Sequence, residues 1–493
     1  MKRIAFGAVV ALGIGLLSAP PAHAATAARP YDFDGNGFPD LVVGAPGLQV
    51  SAVRQTGGVV ILPASASGLS LREKVVSQSS RGLPGASETG DEFGAAVTSA
   101  DFDRDGFADL AIGQPGEGGG LEGVGAVTVV YGSSRGLDTT RSAGFGAPSG
   151  PSAFASFGTA LVAGDFNRDG FPDLAVGAPL DDVDQSQDTD FHPSGTVTVM
   201  SGGARGITST GAVVLRRQGL PSFDVGFGAV LAAGDLDRDG GADLVVGSRG
   251  QRFVDEGFAG SVSYCRGAAG GPAGCTRLVQ SADYAGMTSI AVGNMSGDAR
   301  PEIVVGVPIA EEDDPGHVKI LQLGAGTPLT VAREQTLSQG RSGDGVPGSD
   351  EPGDSFGRSL AIGDIDRDGL ADLAIGSSGE DDDSGRVTVV HGAPNGWRVG
   401  GNFAYDQDTA GIPGARERGD AFGWSVTLLD HNRDNRLDLT VGAAFENGSS
   451  GAITTLRGSG RRFALSGSRT FGLATLGYAH PADALFSFAL GRP

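Results

Sequence analysis

Asp32-Phe-Asp34-Gly-Asn36-Gly37-Phe38-Pro-Asp40-Leu-Val-Val-Gly44-Ala-Pro46 decides the fold, because the chain repeats it. Variants begin at Asp101, Asp165, Asp235 and Asp364, with weaker ones at Asn294 and Asp430, giving seven copies. Successive starts lie 59 to 70 residues apart, a period that suits one four-stranded sheet per repeat and exceeds that of common helical solenoids. Eight residues before five of the loops stands Phe-Gly, at Phe93, Phe157, Phe227, Phe356 and Phe422. After the loops come Gly and alternating β-branched residues, as in Gly125-Ala-Val-Thr-Val-Val-Tyr131 and Gly385-Arg-Val-Thr-Val-Val-His391. Period-two alternation reads as a strand. Four antiparallel strands per unit, set radially, predict an all-β, seven-bladed β-propeller over residues 25–493. The first loop has no Phe-Gly before it. Phe486 and Leu490 match the Phe and the aliphatic of Phe356-Gly-Arg-Ser-Leu360, so the C-terminal segment is expected to complete the first blade and close the ring without an unpaired edge.

Composition agrees with a turn-rich β-protein. Of 493 residues 85 are Gly and 25 Pro, and only 19% are charged, which argues against a coiled coil or a charged disordered tail. A formal charge of -22 argues against nucleic acid as a partner, since phosphate-binding surfaces need clustered cations. Lys2 and Arg3 precede an apolar run, Ile4 to Leu17, and Ala22-His23-Ala24 has the small-x-small form of a cleavage site, so residues 1–24 are read as a signal peptide of a secreted protein. The alternative, a membrane anchor, needs about 20 apolar residues. No later segment is long and apolar enough to span. Export favours a local disulfide between Cys265 and Cys275 over two free thiols.

The loops offer cation chemistry. Ca²⁺ takes six to eight hard oxygen ligands, and side chains at positions one, three, five and nine of a tight turn, with a backbone carbonyl at seven, can face one centre. The expected ligands are Asp32, Asp34, Asn36, Phe38 and Asp40; Asp101, Asp103, Asp105, Phe107 and Asp109; Asp165, Asn167, Asp169, Phe171 and Asp173; Asp235, Asp237, Asp239, Gly241 and Asp243; and Asp364, Asp366, Asp368, Leu370 and Asp372. Gly37, Gly106, Gly170, Gly240 and Gly369 occupy the sharp turn, where positive φ is expected. A sixth loop, Asp430, Asn432, Asp434, Arg436 and Asp438, has Asn435 there, and Asn tolerates the left-handed region. Asn294, Ser296, Asp298 and Glu302 carry less charge, with Ala299 at the turn, and that loop is expected to be metal-free. An Asx-rich turn without metal is the bland alternative, but clustered carboxylates repel one another without a cation. Mg²⁺ suits small, water-rich octahedral sites less like these.

The Phe-Gly strand, the Asp-x-Asp-x-Asp-Gly-x-x-Asp loop and Gly-Ala-Pro at Gly44 and Gly177 resemble the FG-GAP repeats of integrin α-subunit propellers and their bacterial secreted relatives. The resemblance covers nearly all of residues 32–493. It implies a seven-bladed propeller with calcium in the blade loops and an extracellular recognition role.

Other signals are discounted. Arg418-Gly419-Asp420 mimics an adhesion tripeptide, yet Gly90-Asp91 and Gly353-Asp354 precede Phe-Gly in the same way, so Gly-Asp belongs to the repeat. Gly132-Ser-Ser134-Arg-Gly136 has nucleophile-elbow spacing but follows a strand as a hairpin turn. His192, His317, His391, His431 and His480 are scattered. The loops between second and third strands are acidic, at Asp181 to Asp190, Glu311 to Asp314 and Glu380 to Asp383, and lie on the face opposite the cation turns, as either a binding surface or solvated decoration. The reading is a monomeric, secreted, calcium-binding propeller that binds an extracellular protein or glycan. The alternatives are a glycan-specific lectin and a propeller enzyme acting on polysaccharide or lipid.

Overall fold

The computed structural model describes residues 27–492 except 51–52, 54, 119–122, 149–153, 182–193, 217–224, 251–258, 299, 309–313, 327, 342 and 479–481. The leader, the acidic stretches 182–190 and 311–313, His192, His480 and Ala299 therefore lie outside the described residues.

Seven four-stranded antiparallel sheets surround a central channel, one for each repeat. Blade two is representative, with Ala96–Ala100 innermost, then Asp109–Gln114, Ala126–Tyr131 and the outer Asp138–Phe145. The second strand is buried at every residue, because neighbouring blades cover both its faces, and it reads as a continuous apolar run. The outer strand has only exposed and half-buried residues. A short hairpin, Gly392–Ala393 with Gly396–Trp397, is added to blade six.

The paired glycines of the repeat are two halves of one contact between blades. Gly113, in the second strand of blade two, packs its Cα against the carbonyl of Gly158, from the Phe-Gly of blade three; a Cβ on Gly113 would stand 2.1 Å from that oxygen. The Gly158 N–H itself donates to the carbonyl of Gly177, in the second strand of its own blade, at 3.0 Å. Gly44 against Gly94, Gly177 against Gly228, Gly306 against Gly357 and Gly376 against Gly423 repeat the approach. The Phe-Gly glycines all have positive φ, between 91° and 99°, which only Gly adopts without penalty. That backbone turn interrupts the ladder. Phe227, Phe356 and Phe422 are separated from the rest of their strands by a register shift, whereas Phe93 and Phe157 stand before their strands, tied by single bridges to Gly57 and Gly125. The expected Phe-Gly strand is thus an anchor followed by a strand.

Seven apolar clusters fill the gaps between neighbouring blades. In the cluster between the seventh and first blades, Ile453 and Phe471 meet Leu41, Val43, Phe486 and Leu490. Ala489–Leu490 is the fourth strand of the first sheet, with Val43 opposite Leu490 and Gly44 opposite Ala489. Phe486-Ser487 stands where other blades have Phe-Gly. Ser487 has φ 82°, and its side chain abuts Gly442 of blade seven.

Candidate cation centres

In blades two to seven each loop joins the innermost strand to the second strand of its blade, and in blade one the loop leads directly into the second strand, so the loops share one face of the ring. In blade two, Asp101 Oδ1 accepts the Asp105 N–H and Oδ2 the Gly106 N–H, both at 3.1 Å. Asp103 Oδ1 also accepts the Asp105 N–H, at 3.2 Å, and Asp105 Oδ1 accepts the Phe107 N–H at 3.1 Å. Asp109 pins the loop to the sheet, taking the Phe102 N–H on Oδ2 and the Gly132 N–H on Oδ1, both at 2.9 Å. Asp173, Asp243 and Asp372 make the same pair of bonds at the same position. The residues expected as carbonyl ligands, Phe38, Phe107, Phe171, Gly241, Leu370 and Arg436, each donate their N–H to the side chain two residues earlier.

The six loops keep one backbone form. Gly37, Gly106, Gly170, Gly240 and Gly369 have φ between 87° and 94°, and Asn435 fills their place at 62°. A second left-handed residue went unread in the sequence. Position four has positive φ in all seven loops, at Gly35, Arg104, Arg168, Arg238, Gly297, Arg367 and Arg433. The glycines at two of these positions were the available signal.

The geometry fits a hard dication. Ligand atoms of Asp101, Asp103 and Asp109 lie within 4.8 Å of one another, as do those of Asp235, Asp237 and Asp239, and of Asp364, Asp366 and Asp368. Ca–O distances of 2.3–2.6 Å would let one ion touch all three. In blade one, Asp32 Oδ1 is buried without a partner. Burial also pushes the ninth-position carboxyls up, Asp109 to about 8, Asp40 to about 7, and Asp173 and Asp438 to about 6, with neighbouring carboxylates adding to the effect. A bound cation would reverse that cost by stabilising the charged form.

Arginines also reach these loops, and the sequence reading missed them. Arg141, from the outer strand of blade two, lies 3.0 Å from Asp103 and 3.2 Å from Asp105. Arg266 pairs with Asp237 and Asp239 at 2.6 and 2.5 Å, and Arg398 with Asp366 and Asp368. These residues come from different places in their repeats, so no spacing announces them. The fifth loop is built differently. Glu302, one methylene longer than Asp, reaches the Ser296 hydroxyl and takes the Met295 N–H at 2.8 Å, so the loop is held by its own side chains.

Cys265 and Cys275 are bonded, joining the third and fourth strands of blade four. The adhesion-like tripeptide is not presented. Asp420 is 3% exposed and accepts the Glu417 N–H at 2.8 Å. Ser133 Oγ donates to the Gly136 carbonyl at 2.7 Å within its turn. Of the acidic loops, Asp181 corrects the picture of a free surface, being buried and accepting the Thr196 hydroxyl at 2.9 Å. Asp381 and Asp382 are paired with Arg416 and Arg418. His317 and His431 contact the backbone carbonyls of Asp283 and Pro39, and His391 lies 3.2 Å from Asp372.

The channel has a volume of about 630 Å³ and is lined mainly by small apolar side chains of the inner strands. At the mouth away from the Asp loops, the Arg358 guanidinium stacks 3.5 Å over Trp424. Arg249 nearby donates to the Met287 carbonyl at 3.2 Å. Neither has a carboxylate partner among the described residues. Burial lowers both, Arg358 to about 10 with Arg249 adding to the shift.

Fold and loops define a repeat-built, seven-bladed propeller. The FG-GAP repeat model matches residues 24–62, 93–130, 157–200 and 356–390. The chain is an FG-GAP, integrin-α-like β-propeller. It is 31% identical over 231 residues to integrin alpha-V of Gallus gallus, covering 44% of this chain and 19% of that protein. Against integrin alpha-7 of Homo sapiens it is 33% identical over 163 residues, covering 32% and 12%. It is also 33% identical over 166 residues to phosphatidylinositol-glycan-specific phospholipase D of Bos taurus, covering 33% and 19%. The aligned segments span less than a fifth of these relatives. Among the described residues, no helix is long and apolar enough to cross a membrane.

Proposed function

We propose that this chain is a secreted, calcium-stabilised binding module for an extracellular protein or glycan. Calcium occupies five Asp loops and the Asp430 loop, with the position-seven carbonyls completing the ligand sets, while the Asn294 loop holds no ion. The carrying observation is that one loop geometry recurs around a single rim, as expected of a scaffold; a catalytic centre needs one blade to differ. The partner docks on the opposite face, where connections vary and the Arg358–Trp424 mouth opens. Stacked guanidinium and indole groups suit a carboxylate-bearing or sugar-ring ligand. A glycan array and a panel of immobilised extracellular proteins, each probed with the parent and with Arg358→Ala, test this. Binding is expected to depend on Arg358, and equal binding by the variant would move the site elsewhere.

A hydrolase is the second reading, favoured by the similarity to the phospholipase D. Release of product from a phosphatidylinositol-glycan substrate by the purified chain would establish it in place of the binding role.

A further inference from the structure

Gln78, Asp91 and Glu117 come from separate segments and meet on the face away from the Asp loops. Asp91 is 2% exposed, and its Oδ2 accepts the Glu88 N–H at 2.6 Å. The Gly116 N–H binds the Asp91 carbonyl at 3.2 Å, which sets Glu117 beside it. Gln78, 5% exposed, points its amide into the cluster and donates to Glu117 Oε2 at 2.5 Å, yet its Oε1 is buried without a partner. Ligand oxygens of Glu88, Asp91 and Glu117 lie within 4.8 Å of one another. Gly85, at φ 87°, covers the amide closely enough that a Cβ there would stand 2.9 Å from Nε2.

The set recurs in blade six. Gln339 donates to Glu380 Oε2 at 2.8 Å, Asp354 accepts the Glu351 N–H at 2.9 Å, and Gln339 Oε1 is buried and unpartnered. Blade seven has Gln407, Asp420 and Glu446 in the same roles. Where Ala155, Val225 or Ala484 stands at the Asp position, recognised by the same backbone bond to its carbonyl, the Gln–Glu pair is missing among the described residues.

In blade six a basic side chain joins the set. Arg386 places its guanidinium on Glu380 and lies 3.0 Å from Asp381. Arg386 pairs with Ser377, one residue past the second-strand glycine; the residues in that register are Ala126 in blade two, opposite Gln114, and Ala452 in blade seven, opposite Ala443. In blade two, then, three carboxylates converge with no basic side chain among the described residues to match Arg386.

We propose that Gln78, Glu88, Asp91 and Glu117 form a divalent-cation site of the calcium class, separate from the Asp loops, and that Arg386 is the covalent substitute for that ion in blade six. Rotation of the Gln78 amide exchanges its nitrogen and oxygen without changing its shape, turning the unpartnered oxygen toward the ion. Carboxylates plus an amide oxygen form a hard donor set suited to Ca²⁺.

Crystals of the full chain equilibrated with Tb³⁺, a calcium surrogate, test this by anomalous scattering. A peak among Gln78, Asp91 and Glu117 is expected in the parent, and Ala126→Arg should abolish it while any peaks at the Asp loops persist. Absence of the parental peak overturns the proposal whatever the Asp loops bind. A peak of undiminished height in a folded Ala126→Arg protein also overturns it, and should that variant fail to fold, the parental map decides.

Discussion

Deleting residues 484–493 should unfold or open the ring. The segment buries Ala484, Phe486 and Leu490 at 0%, 0% and 4% exposure. Full burial of Phe486 and Leu490 contributes about 1.5 to 3 kcal/mol each, so about 3 to 6 kcal/mol together. Backbone bonds from Ser487 to Gly44 and from Gly491 to Val42 are lost as well. The Ser425 and Thr427 hydroxyls lose the Ser487 and Gly491 carbonyls to which they donate at 2.6 Å. Each hydrogen bond exchanged for water costs about 0.5 to 1.5 kcal/mol net. The total approaches the 5 to 15 kcal/mol that typically separates a folded domain from its unfolded state. Differential scanning calorimetry with size-exclusion chromatography is the assay, and a collapsed transition or aggregation is expected. Phe486→Ala alone should cost about 3 to 5 kcal/mol. A truncated chain that stays monomeric and melts at the parental temperature would show that Ala489–Leu490 merely decorates the first blade.

Other tests concern the repeat chemistry. EGTA should lower the melting temperature relative to millimolar Ca²⁺, since an ion at a hundredfold excess over its Kd contributes about 2.7 kcal/mol per site; superimposable melts would remove calcium from the account. Asp103→Ala should show only part of that shift, because the other loops keep their own ions. Ser487→Gly should raise stability by about 1 kcal/mol or more, as it relieves a left-handed non-Gly residue and removes an unpartnered buried hydroxyl, and a lower melting temperature would refute this. Cys265→Ser with Cys275→Ser should cost up to about 3 kcal/mol from the loop-closure estimate, and complete alkylation of both thiols in the native parent would rule out the bridge.

The architecture was legible because each blade states its loop again. Asp32, Asp101 and their counterparts fixed the period, and Phe486 with Leu490 pointed to the first blade before any pairing was visible. What stayed hidden depends on partners that approach from elsewhere in the chain. Arg141 reaches Asp103 from an outer strand and Arg266 reaches Asp237 from the end of a third strand, with no common offset. Asp91 was in view, since the Gly-Asp pairs had been recognised as part of the repeat, but nothing in the sequence singled out Gln78 or Glu117. Their convergence needed the fold, because Gln78 precedes the blade-two loop and Glu117 follows it. Asp181 misled for a related reason: an acidic run suggests solvent, but its first residue turns inward to Thr196.

The strand pairing of Val43 with Leu490 also bears on the order of events in folding. Contacts between residues so far apart in sequence are the slow ones, since the intervening chain must be gathered before they yield any stabilisation. During synthesis the first blade has three of its four strands almost at once, then waits with an open edge until Ala489 and Leu490 emerge. The first sheet therefore cannot be completed ahead of the rest. The ring can be completed only once Ala489 and Leu490 are free to pair, which leaves the first blade without its finished shape while all the other blades are being made.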